Sequence, residues 1–397
     1  MSIPIQVPPA QAPAPVPGGA LWALGFRPFY LLAAALAVLS VPLWALQFGG
    51  WLGTPVLRGA AWHGHEMVFG YALAVLIGFL FTAGRNWSGQ PTPTGPALMA
   101  LAAAWVLARA LVLAPWPAAA AVANVAVPWL AAWGLWRALH AGGNQRNYFF
   151  VGLLVLMGLA AGVFHATEQG WVALPRGLGL PVALDLVLFM IAVMGGRVIP
   201  MFTNNGVPGV NARRDARVEK AALGSTLMLL ASDALGLGGA PLAVLLALAW
   251  LAHAMRWLLW QPWKTLRVPL VWVLHLAYAW LLVHLALRAA AALEILPPGP
   301  ATHALTVGVI GSITLGMMTR TSLGHTGRPL KATWIETTAY LSLTGAALVR
   351  VAGPLLLPAG LRHAAATSAA LWAVAFLLFL WRYGPFMVRP RADGRPG

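Results

Sequence analysis

The chain has 397 residues, of which 60% are hydrophobic and 9% are charged. Soluble globular domains carry about 25% charged residues, so this composition excludes a water-soluble fold. A net charge of +16 would suggest nucleic-acid binding in a soluble protein. In a membrane protein, basic residues mark the cytoplasmic loops, so we expect no nucleic-acid partner. The chain has no cysteine, which excludes disulfides, iron–sulfur clusters and thiolate ligands.

The first 20 residues are rich in Pro, Ala and Gln and contain no Lys or Arg, which predicts a flexible N-terminal tail instead of a cleaved signal peptide. Twelve apolar runs follow, each long enough to cross a hydrocarbon core of about 30 Å as a helix. They predict an all-α polytopic membrane protein, with one domain of about twelve transmembrane helices over residues 21–386 and a basic cytoplasmic tail over 387–397. The runs lie at about 22–47, 62–84, 95–114, 118–139, 147–166, 178–200, 217–238, 240–260, 268–290, 301–320, 332–353 and 363–385.

Basic residues are unevenly divided between the two sets of loops. Seventeen belong to the loops after even-numbered spans and to the C-terminal tail, six belong to the other side, and Arg27 and Arg197 lie inside spans. Basic loops stay in the cytoplasm, so we predict a bacterial inner-membrane protein with both termini cytoplasmic.

Several histidines share one predicted depth near the outer face. His63 and His65 open span two, His165 ends span five, His303 opens span ten, and His284 lies in the outer part of span nine. Ionisable groups inside a bilayer are costly unless they are paired or bound, and neutral imidazole is a common ligand of haem iron and copper. This layer therefore predicts a haem site, with or without copper. The alternative that each histidine only hydrogen-bonds to a neighbouring helix or reaches the interface stays open.

Two of these histidines cannot face the same group from one regular helix. At 3.6 residues per turn, His63 and His65 point about 200° apart. We expect one to be a ligand and the other to face a neighbouring helix, the interface or a second metal. Glu66 is placed to accept the second N–H of a ligating imidazole and so to select its tautomer.

Three arginines recur at the inner ends of spans two, six and ten: Arg85, Arg197 and Arg320. These spans are four apart, which three four-helix arcs around a pseudo-threefold axis would explain. The arginines are candidates to bind haem propionates, an anion or a quinone headgroup. The alternative is that they serve only as topology determinants.

Four segments carry a resemblance to a known family. Residues 25–29 (GFRPF), 62–67 (WHGHEM), 197–204 (RVIPMFTN) and 311–328 (GSITLGMMTRTSLGHTGR) occur in the order seen in the NnrS proteins of proteobacteria, which the chain resembles over most of its length. The resemblance implies a haem- and copper-containing membrane protein made in response to nitric oxide that contributes to nitrosative-stress tolerance.

A more distant likeness is to the catalytic subunit of haem–copper oxidases and nitric oxide reductases. In those proteins spans two and ten supply the axial histidines of a haem near the outer face, which His65 and His303 would match here. The copper-ligating histidines of spans six and seven in that family are missing. Copper would therefore need other ligands, of which His63, His165 and His284 are the candidates.

The sequence thus predicts a protein that binds haem b through His65 and His303, binds copper with less support, and handles nitric oxide or a related species with electrons from a quinone or another donor. The competing prediction is a transporter or channel, because intramembrane Arg197, Asp185 and glycine-interrupted helices often mark substrate pathways. A third is an assembly protein in which the histidines are only structural.

Overall fold

The computed structural model describes residues 19–52 and 59–395, so nearly all of the predicted N-terminal tail lies outside the described residues. Within these ranges the chain forms twelve long helices and no strand. Each predicted run corresponds to one helix, with ends that differ by several residues, which confirms the all-α prediction. The helices are α1 Phe26–Gly49, α2 Gly59–Ser88, α3 Gly95–Leu113, α4 Pro117–Ala141, α5 Tyr148–Glu168, α6 Gly179–Gly206, α7 Ala216–Ala234, α8 Gly239–Leu259, α9 Pro269–Ala292, α10 Pro298–His325, α11 Trp334–Leu356 and α12 Leu361–Met387.

Eleven of these helices are long and apolar enough to cross a membrane, and α7 is the exception. Its 19 residues include four charged side chains. Two of them are neutralised by neighbouring helices, because Glu219 binds Arg256 of α8 and Asp233 binds Arg288 of α9. The pairing of these two charges lets α7 pack one face against α6 and α8 despite its low hydropathy.

Helices α2, α6 and α10 form the centre of the bundle. Among the candidate spans they have the largest buried shares, at 78%, 67% and 72%. Their glycines let neighbouring helices approach closely on several sides, so little of their surface is left for lipid. Three helices spaced four apart along the chain thus meet at the centre, as an arrangement in three arcs requires.

Two of the central helices contain a π-helical segment. In α2 it spans Glu66–Ala72 and in α10 it spans Ala304–Gly311, so each begins directly after a histidine, His65 or His303. A π turn holds an extra residue, widens the helix and often occurs at functional sites. Both π-helical segments lie near the end of the bundle at which α2 and α10 begin, which indicates a functional site at that end.

We call the end at which α2, α6 and α10 begin the histidine side, since it holds His63, His65, His165, His284 and His303. The opposite end, with Arg85, Arg197 and Arg320, is the arginine side. Twenty residues of α2 separate His65 from Arg85, which corresponds to about 30 Å along the helix axis.

The C-terminal segment after α12 docks on the arginine side. The Ala392 N–H donates to the Thr326 carbonyl, and Arg391 donates to the His325 carbonyl. Arg391 also hydrogen-bonds Asp393 and lowers the pKa of that carboxyl to about 2. The predicted tail is therefore attached to the end of α10 at these residues.

Candidate functional site

A cavity of about 250 Å³ lies on the histidine side and is bounded by α1, α2, α6, α10, α11 and α12. We call it the histidine cavity. Its wall is mostly apolar, with Met67, Leu184, Val307, Ile310 and Trp372 among its residues. Three cationic or imidazole side chains also line it, and these are His63, His303 and Arg350. This combination of an apolar wall with two imidazoles and a guanidinium defines the candidate site.

The two imidazoles of the cavity each have a nitrogen available. The His63 ring stacks on Trp44 of α1, with ring centroids 4.1 Å apart, and its Nδ1 is buried without a hydrogen-bond partner in the described structure. His303 donates from Nδ1 to the Gly299 carbonyl at 2.8 Å, which leaves the lone pair on Nε2. A buried ring nitrogen without a partner is rare in a folded protein and points to a ligand.

Arg350 of α11 is the cavity residue that sequence reasoning missed. No hydrogen bond or ion pair joins its guanidinium to another residue in the part of the chain that the structure describes. A mostly buried guanidinium beside apolar side chains is stable only when an anion or water satisfies it. Position 350 lies inside the predicted apolar run 332–353, which indicates a place within the membrane. The sequence prediction had grouped Arg350 with the arginines of the loops.

A second histidine pair lies next to the cavity, between α2 and α5. The Nε2 atoms of His65 and His165 are 3.1 Å apart. His65 donates from Nδ1 to Glu66 at 2.8 Å, and the same carboxylate accepts from Arg109 at 2.8 Å. Glu66 therefore selects the tautomer of His65 whose Nε2 carries the lone pair, which is the contact the sequence predicted.

The separation of the two nitrogens allows two kinds of contact. One imidazole can donate a hydrogen bond to the other, or both can bind one metal ion. Two imidazole nitrogens about 2.0 Å from one tetrahedral metal lie about 3.3 Å apart, close to the observed value. No group of three or more His, Asp or Glu side chains with metal-binding geometry occurs among residues 19–52 and 59–395. The pair thus offers two protein ligands.

The predicted pairing of His65 with His303 is not the one the structure brings together. His303 shares the histidine cavity with His63, whereas His65 contacts His165. His284 lies nearby on α9 and donates from Nδ1 to the Ala301 carbonyl at 2.8 Å, while its Nε2 is buried without a partner within the described ranges. The five histidines therefore share one level but divide into two pairs and one separate ring.

The three predicted arginines lie at the other end of the bundle. Arg197 donates to Asn147 at 2.8 Å, and the Arg320 guanidinium lies 3.8 Å from the centre of the Phe202 ring. At about 30 Å from the histidines, neither these two nor Arg85 can reach the propionates of a haem held there. An anion or a quinone headgroup at the arginine side stays a prediction.

Asp185, which suggested a substrate pathway, is part of an ion-pair cluster between helices. It lies 3.5 Å from Arg288 of α9, which also binds Asp233 of α7. Arg197 likewise has a side-chain partner. These contacts give both residues a structural role and weaken the argument for a transporter.

A comparison with protein-family models matches residues 20–391 to the family described as NnrS protein. The match covers nearly the whole chain and includes every residue of both histidine pairs and Arg350. No curated protein matches the chain.

Proposed function

Because the chain belongs to the NnrS family, we propose that it is a haem-binding membrane protein of the nitric oxide response that handles nitric oxide or a related species by binding or redox chemistry. The single observation that carries the haem proposal is the histidine cavity, in which two imidazoles and one unpaired guanidinium meet between apolar helices.

The residues of the cavity fit the chemistry of haem. Its apolar side chains would suit the faces of a macrocycle, the His63 and His303 imidazoles would hold the iron, and the Arg350 guanidinium would bind a propionate. In this proposal His63 takes the place that the sequence assigned to His65. The haem would be held without covalent attachment, since the chain has no cysteine to form thioether bonds.

The two histidines decide what kind of chemistry the group supplies. A haem iron with both axial positions filled transfers electrons, and one with an open position binds a diatomic gas. The chain's own contribution is to orient the His303 ring through the Gly299 carbonyl and the His63 ring through Trp44. The mostly apolar wall offers a water molecule few polar partners.

For copper, we propose the pair formed by His65 and His165. Imidazole is a good ligand for copper, and the short distance between the two Nε2 atoms supports a shared ion. Glu66 and Arg109 would orient His65 for this role. A metal with only two protein ligands keeps positions open for water or a small ligand.

The haem proposal is tested by the optical spectrum of the purified full-length protein. We expect a Soret band that His63→Ala and His303→Ala each abolish or shift, because each change removes an imidazole that would hold the iron. His140→Ala is the control, since His140 lies at the end of α4 on the arginine side, where its ring hydrogen-bonds Tyr148. An unchanged Soret band in both cavity variants would contradict the assignment. Loss of the band in His65→Ala instead would favour the pairing predicted from sequence.

A further inference from the structure

A second cavity, of about 60 Å³, lies deeper in the bundle beneath the histidine cavity. We call it the middle cavity. The same three central helices line it, with Val75 and Phe79 from α2, Met190 and Ile191 from α6, and Ile313 and Met317 from α10. These positions continue the helix faces that line the histidine cavity, because on α2 His63, Met67 and Tyr71 are followed at helical spacing by Val75 and Phe79.

The middle cavity also adjoins a third cavity, of about 160 Å³, on the arginine side. Phe79 and Met317 line both of them. Three cavities therefore follow one another along the axis of the bundle, from the histidine side to the arginine side. The middle one is the smallest and lies in the interior of the membrane-spanning helices.

One hydrogen-bonded pair of side chains connects the lining of the histidine cavity with that of the middle cavity. Tyr71 lines the histidine cavity, Thr314 lines the middle cavity, and their hydroxyl oxygens are 2.6 Å apart. Both residues are buried. The Tyr71 ring packs edge-on against Trp372 and Phe376, which hold it in position beside Thr314.

The wall of the middle cavity restricts what it can hold. Its accessible surface is entirely apolar, so a water molecule there would lack the two to four polar partners it needs. A charged or strongly hydrated solute would lose its solvation without compensation. Dry apolar cavities do take small apolar guests such as xenon. The volume exceeds the roughly 10–15 Å³ that a guest of the size of one water molecule needs, so a diatomic gas fits.

We propose that the middle cavity is a docking site for one molecule of a neutral diatomic gas, which passes between it and the histidine cavity at the Tyr71–Thr314 pair. The identity of the natural guest as nitric oxide rests on the proposed function. The binding of an apolar gas does not, since it depends only on the size and wall of the cavity.

Xenon is the probe that tests the cavity without haem chemistry. In the full-length protein in detergent, we expect a saturable change in the xenon-129 NMR shift above the linear contribution of the micelles. Val75→Phe fills the cavity and should abolish the saturable component. Val244→Phe, the same change at a position of α8 that is 61% exposed, should retain it. Ile313→Phe is the second filling variant if Val75→Phe does not fold.

Two outcomes would overturn the proposal. Either the unaltered protein shows no saturable xenon binding, or both filling variants keep it. A haem-loaded sample tests the link to the proposed function separately. After flash photolysis of bound carbon monoxide, we expect a larger fraction of direct rebinding in Val75→Phe, because the filled middle cavity cannot hold the released gas. A protein without a Soret band that still binds xenon would contradict the haem proposal and leave the docking site standing.

Discussion

At the residue scale, the histidine side depends on which nitrogen of each imidazole carries the proton. Glu66 accepts a hydrogen bond from Nδ1 of His65 and another from Arg109, so its negative charge is compensated while it holds the ring in one tautomer. Glu66 and Arg109 are buried or nearly so, and removal of one partner of such a pair is more damaging than loss of a surface ion pair.

The variant Glu66→Gln tests the role of this carboxylate beside the His65–His165 pair. The amide can still accept from Nδ1, but without a charge it polarises the His65 ring less and leaves Arg109 without its ionic partner. We expect copper affinity to fall about 10- to 100-fold, with little change in the Soret band. Competition with a chromophoric copper(I) chelator measures the affinity. Glu294→Gln, in the exposed turn after α9 on the same side, is the control. Equal affinities of the two variants would refute a role for Glu66 at a copper site.

The variant Arg350→Gln tests whether this guanidinium binds a haem propionate. If the Arg350 guanidinium binds a propionate, its removal takes away a charge-assisted hydrogen bond worth about 1.5–3 kcal/mol, and haem should dissociate about tenfold faster or more. Transfer of haem to excess apomyoglobin gives the rate. The matched control is Arg362→Gln, an exposed arginine at the start of α12 on the same side. Identical transfer rates would show that Arg350 does not hold the group.

At the scale of elements, close approach between helices depends on individual glycines. Gly196 of α6 lies against the guanidinium of Arg256, which binds Glu219 of α7 and the Ala192 carbonyl. A methyl group added at the neighbouring Gly195 would make only ordinary van der Waals contacts, the nearest at 3.5 Å from the Ile199 side chain. The two adjacent glycines therefore differ in what a methyl group would meet.

This difference gives a matched pair of variants. In Gly196→Ala the new methyl group would displace the Arg256 guanidinium from Glu219, so we expect a loss of about 3–5 kcal/mol in the free energy of unfolding. In Gly195→Ala we expect a change within about 1 kcal/mol, because the methyl group fits and alanine favours a helix. Thermal denaturation in detergent compares the two. Similar melting temperatures would mean that the Arg256–Glu219 contact can shift without loss.

At the scale of the whole molecule, the uneven distribution of basic residues sets the proposed orientation. The arginine side should face the cytoplasm and the histidine side the periplasm. Gas exchange and metal loading on the histidine side would then occur from the periplasm. The absence of cysteine makes this orientation simple to measure, since any introduced thiol is the only one in the chain.

Two glutamines at the ends of α5 serve as reporters of this orientation. Gln169 lies on the histidine side and Gln145 on the arginine side, and both are exposed. A membrane-impermeant maleimide should label Gln169→Cys in intact spheroplasts and should label Gln145→Cys only after permeabilisation. The reverse pattern would invert the proposed orientation.

Much of the fold could be predicted from the sequence, because backbone polar groups in lipid must be satisfied within the segment. A run of about 20 apolar residues can then only be a helix, and its ends follow from charges, Pro and Gly. The common level of the histidines also follows, since alternate spans run in opposite directions. Composition alone did not predict that α7 is less apolar than the other helices, nor that Glu219 and Asp233 of α7 pair with arginines of neighbouring helices.

The sequence by itself determined the twelve helices, the common end of the bundle at which the five histidines lie, and that His63 and His65 point in different directions. Only the tertiary structure decided that His63, His303 and Arg350 line one cavity and that His65 contacts His165. The physical reason is that depth depends on position along a helix, whereas pairing depends on how neighbouring helices rotate and pack, including the π turns that interrupt the 3.6-residue period.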